Sequence, residues 1–249
     1  MRRVGIEAAD SASSVLVIES RATPGPQSGG ASLTTTLELR VRVRPVDDSL
    51  AAGRLQTLWR RSVTATEIPT LEPSAGIGSL PLRPEGYGSV TSLLALNFFP
   101  DSEAAVHEMR SVAAPEATVS ACVWDYGDGM QFLRHFWDAA GAVDSAAREL
   151  DEGNRFPLCR RDALTALFRN CGLAAVRCEP LEIPTVFANF DDYWRPLLGG
   201  TGPAPSFVAS LGADRRTILA RKLEQALPRG LDGTIALTAR AWAVRGTVT

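Results

Sequence analysis

The sequence predicts an α/β fold with a mainly parallel sheet, and three observations support this. Residues 90–125 read as a buried strand, a polar break, an amphipathic helix and a second buried strand. Such a β-α-β unit joins parallel strands. Residues 161–183 again place a helix before a strand. The chain is 45% apolar and 22% charged over 249 residues, which suits one globular α/β domain or such a domain with an appendage.

The first 70 residues differ from the rest. Residues 23–36 are rich in Pro, Gly, Ser and Thr, which predicts a loop or disorder. Residues 37–46 alternate apolar and basic side chains, as in a strand, and a short helix is expected around 55–61. We therefore interpret 1–70 as a divergent, partly disordered segment and 71–249 as the α/β domain.

The regular pattern begins near residue 88. Val90 to Phe98 is a continuous apolar run, typical of a strand covered on both faces, and Pro100 ends it. Asp101 or Ser102 can cap the helix that follows. Thr118 to Trp124 is the next buried strand.

Further elements follow to the end of the chain. Helices are predicted at 129–149, 161–170, 191–198 and 214–227, strands at 175–183 and 234–244, and a flexible loop at 199–205.

Composition restricts the partners and the compartment. A formal net charge of -2 gives no reason to expect nucleic acid or a membrane as partner. No apolar run approaches the roughly 20 residues that span a bilayer, and the short apolar patch near the start is broken by Glu19, unlike a signal peptide. Four cysteines without metal-type spacing predict buried thiols in a reducing cytoplasm, and two histidines exclude a multi-histidine metal site.

Several short motifs resemble one enzyme family. They are Leu80-Pro81-Leu82, Tyr87-Gly88-Ser89-Val90, Asn97-Phe98-Phe99-Pro100-Asp101 and Glu108-Met109-Arg110-Ser111-Val112. From about residue 80 to the C-terminus, the chain resembles class I S-adenosylmethionine-dependent methyltransferases, in the type 11 branch with the quinone-biosynthesis enzymes. The resemblance implies a Rossmann-like sheet of seven strands flanked by helices, mostly parallel with the last strand antiparallel. The strands predicted here would be the fourth to seventh, with the N-terminal half incomplete or irregular.

The resemblance also implies where ligands bind, because open α/β sheets hold them at the carboxyl ends of their strands. Ser92, Leu93 and Asn97 would lie beside the donor S-adenosylmethionine. At the end of the next strand, Trp124, Asp125 and Tyr126 would face a small-molecule acceptor. Methyl transfer depends mainly on proximity and orientation, so no obligatory catalytic residue is expected.

The sequence departs from the family pattern at two places in the matching region. Gly88 stands where the family has an acidic residue, and Pro115-Glu116-Ala117 replaces a Pro-Gly-Gly turn. The Gly-rich donor loop expected upstream has only partial candidates at 25–32 and 72–78, and 46–49 resembles the acidic end of a second strand.

Several hypotheses therefore stay open. The chain is an active small-molecule methyltransferase, a remnant that binds no donor, or an interaction module that uses a free sheet edge. Codons compatible with residues 40–49, read one base later, permit a Glu-x-Gly-Cys-Gly-Pro motif, so a frame disruption in the gene would explain the missing loop. His135 is either a general base or a packed histidine. Aromatic side chains later in the chain either line an acceptor pocket or fill the core: Trp137, Phe187, Phe190, Tyr193 and Trp194.

Overall fold

The protein is described by a computed structural model covering residues 14–24, 35–45, 56–64, 86–199 and 202–249, with side chains from residue 86 onward. The candidate donor segments at 25–32, 46–49 and 72–78 lie outside the described residues, as does most of the loop predicted at 23–36.

Seven strands form one sheet. They are β1 (Ser14–Pro24), β2 (Thr35–Pro45), β3 (Gln56–Thr64), β4 (Tyr87–Leu93), β5 (Ala113–Trp124), β6 (Ala174–Phe187) and β7 (Ile235–Thr247). Eight α-helices lie in the described part of the chain. They are α1 (Ser102–Val112), α2 (Gln131–Val143), α3 (Ala147–Leu150), α4 (Glu152–Arg155), α5 (Arg161–Asn170), α6 (Phe190–Gly199), α7 (Pro203–Ser210) and α8 (Ala213–Ala226).

The strand order is β3-β2-β1-β4-β5-β7-β6. Strand β1 is parallel to β4 and β4 is parallel to β5, whereas β7 is antiparallel to both of its neighbours. This confirms the α/β fold and the antiparallel last strand. The order through β5 is that of a doubly wound sheet, in which the direction of winding reverses between β1 and β4.

The N-terminal strands depart from a doubly wound sheet. Strand β2 is antiparallel to β1, and β3 is antiparallel to β2, so these three strands form a meander. The strand predicted at 37–46 is confirmed as β2. The helix expected around 55–61 is wrong, because this segment is strand β3 and pairs along β2. Since β1 pairs with β4, the sheet edge that the interaction-module hypothesis would use beside the fourth strand is occupied.

Two clusters of apolar side chains hold the folded chain together. The first packs α1 and α5 against one face of the sheet, with Val90, Val119 and Phe168 fully buried in it. The second joins α2 to α6, α7 and α8 around Phe136 and covers the first half of β7. Burial of such side chains stabilises the fold by about 1.5–3 kcal/mol each.

Helix α1 begins at the cap that its sequence predicts. The Asp101 carboxylate accepts a hydrogen bond from the Ala104 amide at 2.8 Å and caps the helix. Val106 and Met109 face the sheet and are fully buried. This short crossover helix connects β4 to β5 and sets their carboxyl ends side by side.

Three element boundaries differ from the sequence prediction. The fourth strand ends at Leu93, and a 3₁₀ turn at Leu96–Phe98 replaces its predicted last residues. The helix predicted at 129–149 divides into α2 and α3 at Asp144. The loop predicted at 199–205 is too long, since α7 begins at Pro203 and proline is favoured in the first helical turn.

Candidate functional site

The candidate site lies where the parallel strands β4 and β5 end together. Leu93, the last residue of β4, pairs with Cys122 near the end of β5. Strand β1 runs alongside, with Glu19 opposite Leu93. The winding of the sheet reverses between β1 and β4, and ligands of open α/β sheets bind beside such a reversal. The candidate site is therefore formed by the residues that follow β4 and β5.

Two buried polar atoms mark the end of β4. Ser92 is fully buried, and Asn97 is only 9% exposed. Among the residues that the structure describes, neither Ser92 Oγ nor Asn97 Nδ2 has a hydrogen-bond partner. Buried polar atoms in folded proteins are nearly always hydrogen bonded, so these two atoms remain available to polar groups of a ligand. Both residues were predicted to lie beside the donor.

The chain turns sharply between these two residues. Leu94 has a φ of 53°, a left-handed conformation that costs an L-residue roughly 1–2 kcal/mol. Its amide donates to the Cys122 carbonyl at 2.8 Å, so β5 holds the turn. Leu93, just before it, is 42% exposed. Strained backbone of this kind is concentrated at functional sites.

At the end of β5, Asp125 is held within the protein. It is 3% exposed, and its Oδ2 accepts hydrogen bonds from Arg240 Nε at 2.7 Å and Nη2 at 2.6 Å. Its Oδ1 accepts from the Asp128 amide at 3.2 Å. Asp125 therefore fixes the turn that follows β5, and its predicted contact with an acceptor stays a prediction.

The residues on either side of Asp125 differ in their surroundings. Trp124, the last residue of β5, is half-buried. Tyr126 packs against the Phe156 ring with 5.6 Å between ring centroids. Burial, aided by the nearby Glu152 and Cys159, raises the pKa of the Tyr126 hydroxyl, which therefore stays protonated at neutral pH. Tyr126 can thus donate a hydrogen bond but does not act as a base.

Three residues of the site region were missed by sequence analysis. Phe156 contacts both Tyr126 and Phe98. Arg240 binds Asp125 from strand β7, 115 residues away along the chain. Glu152 is buried near Tyr126, and desolvation raises the pKa of the Glu152 carboxyl group. Phe156 and Glu152 lie in an irregular segment with weak periodicity, and no local signal links Arg240 to Asp125.

The aromatic residues that the sequence analysis named as pocket or core residues lie in the second apolar cluster. Trp137 and Tyr193 are buried there, with Phe187, Phe190 and Trp194 packed around them. The Tyr193 hydroxyl donates to the Phe132 carbonyl at 2.7 Å. Core packing accounts for Trp137 and Tyr193, whereas Trp194 also lines a surface depression. His135 is half-buried on α2, and both of its alternative roles stay predictions.

The four cysteines are free thiols. Burial raises the pKa of Cys159 to about 12, with a further contribution from Asp125, so this thiol is unreactive at neutral pH. In the part of the chain that the structure describes, no group of His, Cys, Asp and Glu side chains is suited to a metal ion. Among the same residues, no helix has the length and hydrophobicity needed to cross a membrane.

Two surface depressions lie away from the strand ends. One of about 490 Å³ is lined by α6 residues, including Trp194 and Arg195. The other, of about 350 Å³, lies on the face of the sheet opposite α1 and α5, beside Thr91, Ser120 and Cys122. Neither includes Ser92, Asn97 or Tyr126.

Comparison with known proteins gives matches to solved structures alone. No family model matches the chain, and no curated protein matches it. A candidate methyltransferase from Bacillus halodurans is 10% identical with a TM-score of 0.39, over 69% of this chain and 68% of that one. A candidate methyltransferase from an antibiotic biosynthesis pathway of Anabaena variabilis is 14% identical with a TM-score of 0.41, over 68% and 70% of the two chains.

A third match has a named substrate. Phosphoethanolamine N-methyltransferase 2 from Haemonchus contortus, in complex with phosphomonomethylethanolamine and S-adenosylhomocysteine, is 11% identical with a TM-score of 0.35. The match covers 68% of this chain and 35% of that enzyme. All three TM-scores lie below 0.5, so the fold assignment rests on the strand order of this chain and the site assignment on its own geometry.

Proposed function

We propose that the chain is an S-adenosylmethionine-dependent methyltransferase acting on a small molecule. The observation that carries this is the pair of buried polar atoms without partners, Ser92 Oγ and Asn97 Nδ2. They lie at the carboxyl end of β4, beside the reversal of winding between β1 and β4. In this assignment the donor contacts Ser92, Leu93 and Asn97.

The residues that are present fit a donor at this place in three respects. Ser92 Oγ can donate or accept a hydrogen bond, and Asn97 Nδ2 can donate two. Leu93 presents apolar surface beside them. When bound, the donor supplies an activated methyl group, and the protein has mainly to orient the acceptor toward it. Tyr126, with its protonated hydroxyl, faces the acceptor in this proposal, together with Trp124 and the turn held by Asp125.

A second candidate function is a remnant that binds no donor, and the antiparallel pairing of β1 with β2 favours it. In doubly wound folds the first strand leads into a helix, and the amino end of that helix holds the anionic part of the ligand. Here β2, the next described element after β1, is antiparallel to it. This antiparallel pairing departs from the β-α-β order that provides such a helix, and for that reason it favours the remnant.

An interaction module is the third candidate, and the edge strand β6 is the surface to consider. Leu181 and Ile183 on it are 54% and 53% exposed. Pro180 and Pro184 also lie in β6 and supply no amide for a further strand. Edge strands protected by proline resist pairing with another chain, so β6 does not favour this candidate.

Titration calorimetry of the full chain with S-adenosylmethionine and S-adenosylhomocysteine tests the proposal. We expect binding by the wild type, and binding weakened by about tenfold or more in the Ser92→Ala, Asn97→Ala double variant, since each lost hydrogen bond to a ligand contributes about 0.5–1.5 kcal/mol. Ser111→Ala on the exposed side of α1 is the matched control and should bind as the wild type does. No binding by the wild type at millimolar donor would overturn the proposal in favour of the remnant.

The melting temperatures of the same variants distinguish a role in ligand binding from a role in folding. Removing a buried polar atom that has no partner breaks no hydrogen bond and relieves its desolvation penalty, which offsets the packing that the smaller side chain loses. We therefore expect the double variant to melt no lower than the wild type while losing affinity. A large fall in melting temperature would show that Ser92 and Asn97 support the fold and not a ligand.

The nucleotide sequence of the gene tests the origin of the N-terminal segment. A Gly-rich donor loop in an alternative reading frame near codons 40–49 would support a frame disruption and hence the remnant. Absence of such a loop in every frame removes that explanation. We also propose a cytoplasmic location for the chain, because its four free thiols suit a reducing compartment, and we propose no nucleic-acid or membrane partner.

A further inference from the structure

We propose that Phe156 is a positioning residue that joins the donor side of the site to its acceptor side. This inference rests on the function proposed above. Phe156 follows α4 and lies between the two segments that leave the carboxyl ends of β4 and β5. Its role is to hold those segments at a fixed separation, without itself touching the reacting atoms.

The ring contacts of Phe156 reach both segments. The Phe98 ring, next to Asn97 in the chain, meets the Phe156 ring edge-on at 5.2 Å between centroids and 84° between planes. On the other side, the Tyr126 ring lies at 5.6 Å with a tilt of 37°. Both distances lie within the range of favourable aromatic pairs. A single side chain thus contacts the neighbours of Asn97 and of Asp125.

The segment that carries Phe156 is itself anchored to α2. The Asp151 carboxylate accepts from the Arg134 guanidinium and from the Gly153 amide. One residue further on, Glu152 accepts a hydrogen bond from Trp137 Nε1 at 2.6 Å, and this contact is buried. Since α2 belongs to the second apolar cluster, the position of Phe156 is fixed from outside the site.

A close backbone approach completes the support. A Cβ atom on Gly153 would lie 2.9 Å from the Tyr126 carbonyl oxygen, a distance that no side chain tolerates. Glycine at this position therefore lets α4 approach the turn that carries Tyr126. The Phe156 amide donates to the Glu152 carbonyl at 2.9 Å, and Arg155 lies over the Phe156 ring at 5.5 Å.

The consequence is a site with three supports. Strand β5 holds the turn at Leu94, Arg240 holds the turn at Asp125, and Phe156 sets the separation between them. Binding sites need such supporting contacts, because the residues that contact a ligand must be held within about 0.5 Å of their productive positions. Loss of the Phe156 ring should therefore weaken a ligand that touches the Asn97 segment, although Phe156 does not bind that ligand.

Phe187 provides a matched control for a test of this role. It is also half-buried, and it makes one edge-on contact at 5.2 Å with Tyr193 in the second cluster. Removing either ring should destabilise the fold to a similar extent. The positioning role predicts that donor affinity will fall in one variant and not in the other.

The experiment measures the S-adenosylhomocysteine affinity of the full chain by calorimetry, with melting temperatures, for wild type, Phe156→Ala, Phe156→Tyr and Phe187→Ala. We expect about a tenfold loss of affinity in Phe156→Ala, wild-type affinity in Phe187→Ala, and recovery in Phe156→Tyr, which keeps the ring. Wild-type affinity in Phe156→Ala, or an equal loss in Phe187→Ala, would overturn the inference and leave the proposed function standing. Absence of binding by the wild type would overturn both.

Discussion

Arg240 holds Asp125 by two hydrogen bonds to one carboxylate oxygen, from Nε at 2.7 Å and from Nη2 at 2.6 Å. The main chains of the two residues are also paired, since the Asp125 amide donates to the Arg240 carbonyl at 3.0 Å. The Arg240 guanidinium lies 4.9 Å from the centre of the Trp242 ring. Strand β7 thereby fixes the turn that leaves the carboxyl end of β5.

The first prediction follows from this pairing. Arg240→Ala removes the only cation within bonding distance of Asp125 among the described residues and leaves a buried carboxylate without charge compensation. We expect a loss of about 2–4 kcal/mol in the free energy of unfolding, slightly under the cost of breaking a fully buried pair, since Arg240 is partly exposed. Urea unfolding measures the loss. Arg245→Ala, on the exposed side of the same strand, should change stability by less than about 0.5 kcal/mol, and an equal effect in both variants would contradict the prediction.

A second prediction concerns two glycines in the turn after β5. A Cβ atom on Gly129 would lie 2.5 Å from Arg240 Cβ and 2.8 Å from Asp125 Cβ. A Cβ atom on Gly127 would meet nothing closer than Asp125 Oδ1 at 3.6 Å, an ordinary contact. We expect Gly129→Ala to cost about 1–3 kcal/mol through overpacking and Gly127→Ala to be nearly neutral. Thermal melting compares the two variants, and a neutral Gly129→Ala would show that the turn has room to move.

The sequence predicted the second half of the sheet well and the first half poorly. Strands β4 to β7 and helices α1, α5 and α8 follow from local periodicity, because each is a continuous apolar or amphipathic run. The pairing of β1 with β4 and the meander of β1, β2 and β3 could not be predicted in this way, since strand pairing depends on contacts between distant segments. The alternation in 37–46 predicted a strand without indicating its partner.

The same division applies to the candidate site. The resemblance placed Ser92 and Asn97 at the end of β4, and their buried polar atoms without partners are consistent with that placement. It could not reveal that Asp125 is occupied by Arg240, because the two residues are 115 positions apart. Phe156 follows a helix of four residues, too short to leave a periodic signal.

A third prediction concerns Glu116, which lies where the register of β5 with β4 shifts and where the resembled family has glycine. Glu116 has a φ of 62°, so this irregular part of β5 adopts the left-handed conformation without glycine, the residue that tolerates it. This conformation costs an L-residue roughly 1–2 kcal/mol, and glycine avoids that cost. Glycine is also more flexible in the unfolded chain, and ordering it on folding costs about 0.5–1 kcal/mol. We therefore expect Glu116→Gly to stabilise the protein by about 0.5–1 kcal/mol.

Glu116→Ala is the control for this change. Glu116 is exposed and has no ion pair among the described residues, so removal of its side chain should have little effect while the strained φ remains. Urea unfolding of the three proteins measures both changes. Equal stabilisation by alanine and glycine would attribute the effect to the charge, and no stabilisation by glycine would show that the backbone at Glu116 is not strained.

The last prediction concerns the buried carboxyl group of Glu152. Desolvation raises its pKa above the ordinary value of 4.5, although the hydrogen bond from Trp137 and the charge of Arg155 act in the opposite direction. Between pH 4.5 and the raised pKa, Glu152 is therefore protonated in the folded protein and ionised in the unfolded chain. The stability that this proton contributes is complete below pH 4.5 and is lost as pH rises through the raised pKa.

Glu152→Gln removes the titrating group and keeps an oxygen that can accept the hydrogen bond from Trp137 Nε1. We expect the variant to unfold at higher urea concentration than the wild type at neutral pH, and we expect this advantage to shrink toward zero as the pH falls to 4.5. Glu149→Gln on the neighbouring helix α3 is exposed and should leave the pH profile of the wild type unchanged. An advantage of Glu152→Gln that stays constant with pH would mean that the carboxyl group is not titrating, and a loss of stability at neutral pH would mean that Glu152 is stabilised as the carboxylate by Trp137 and Arg155.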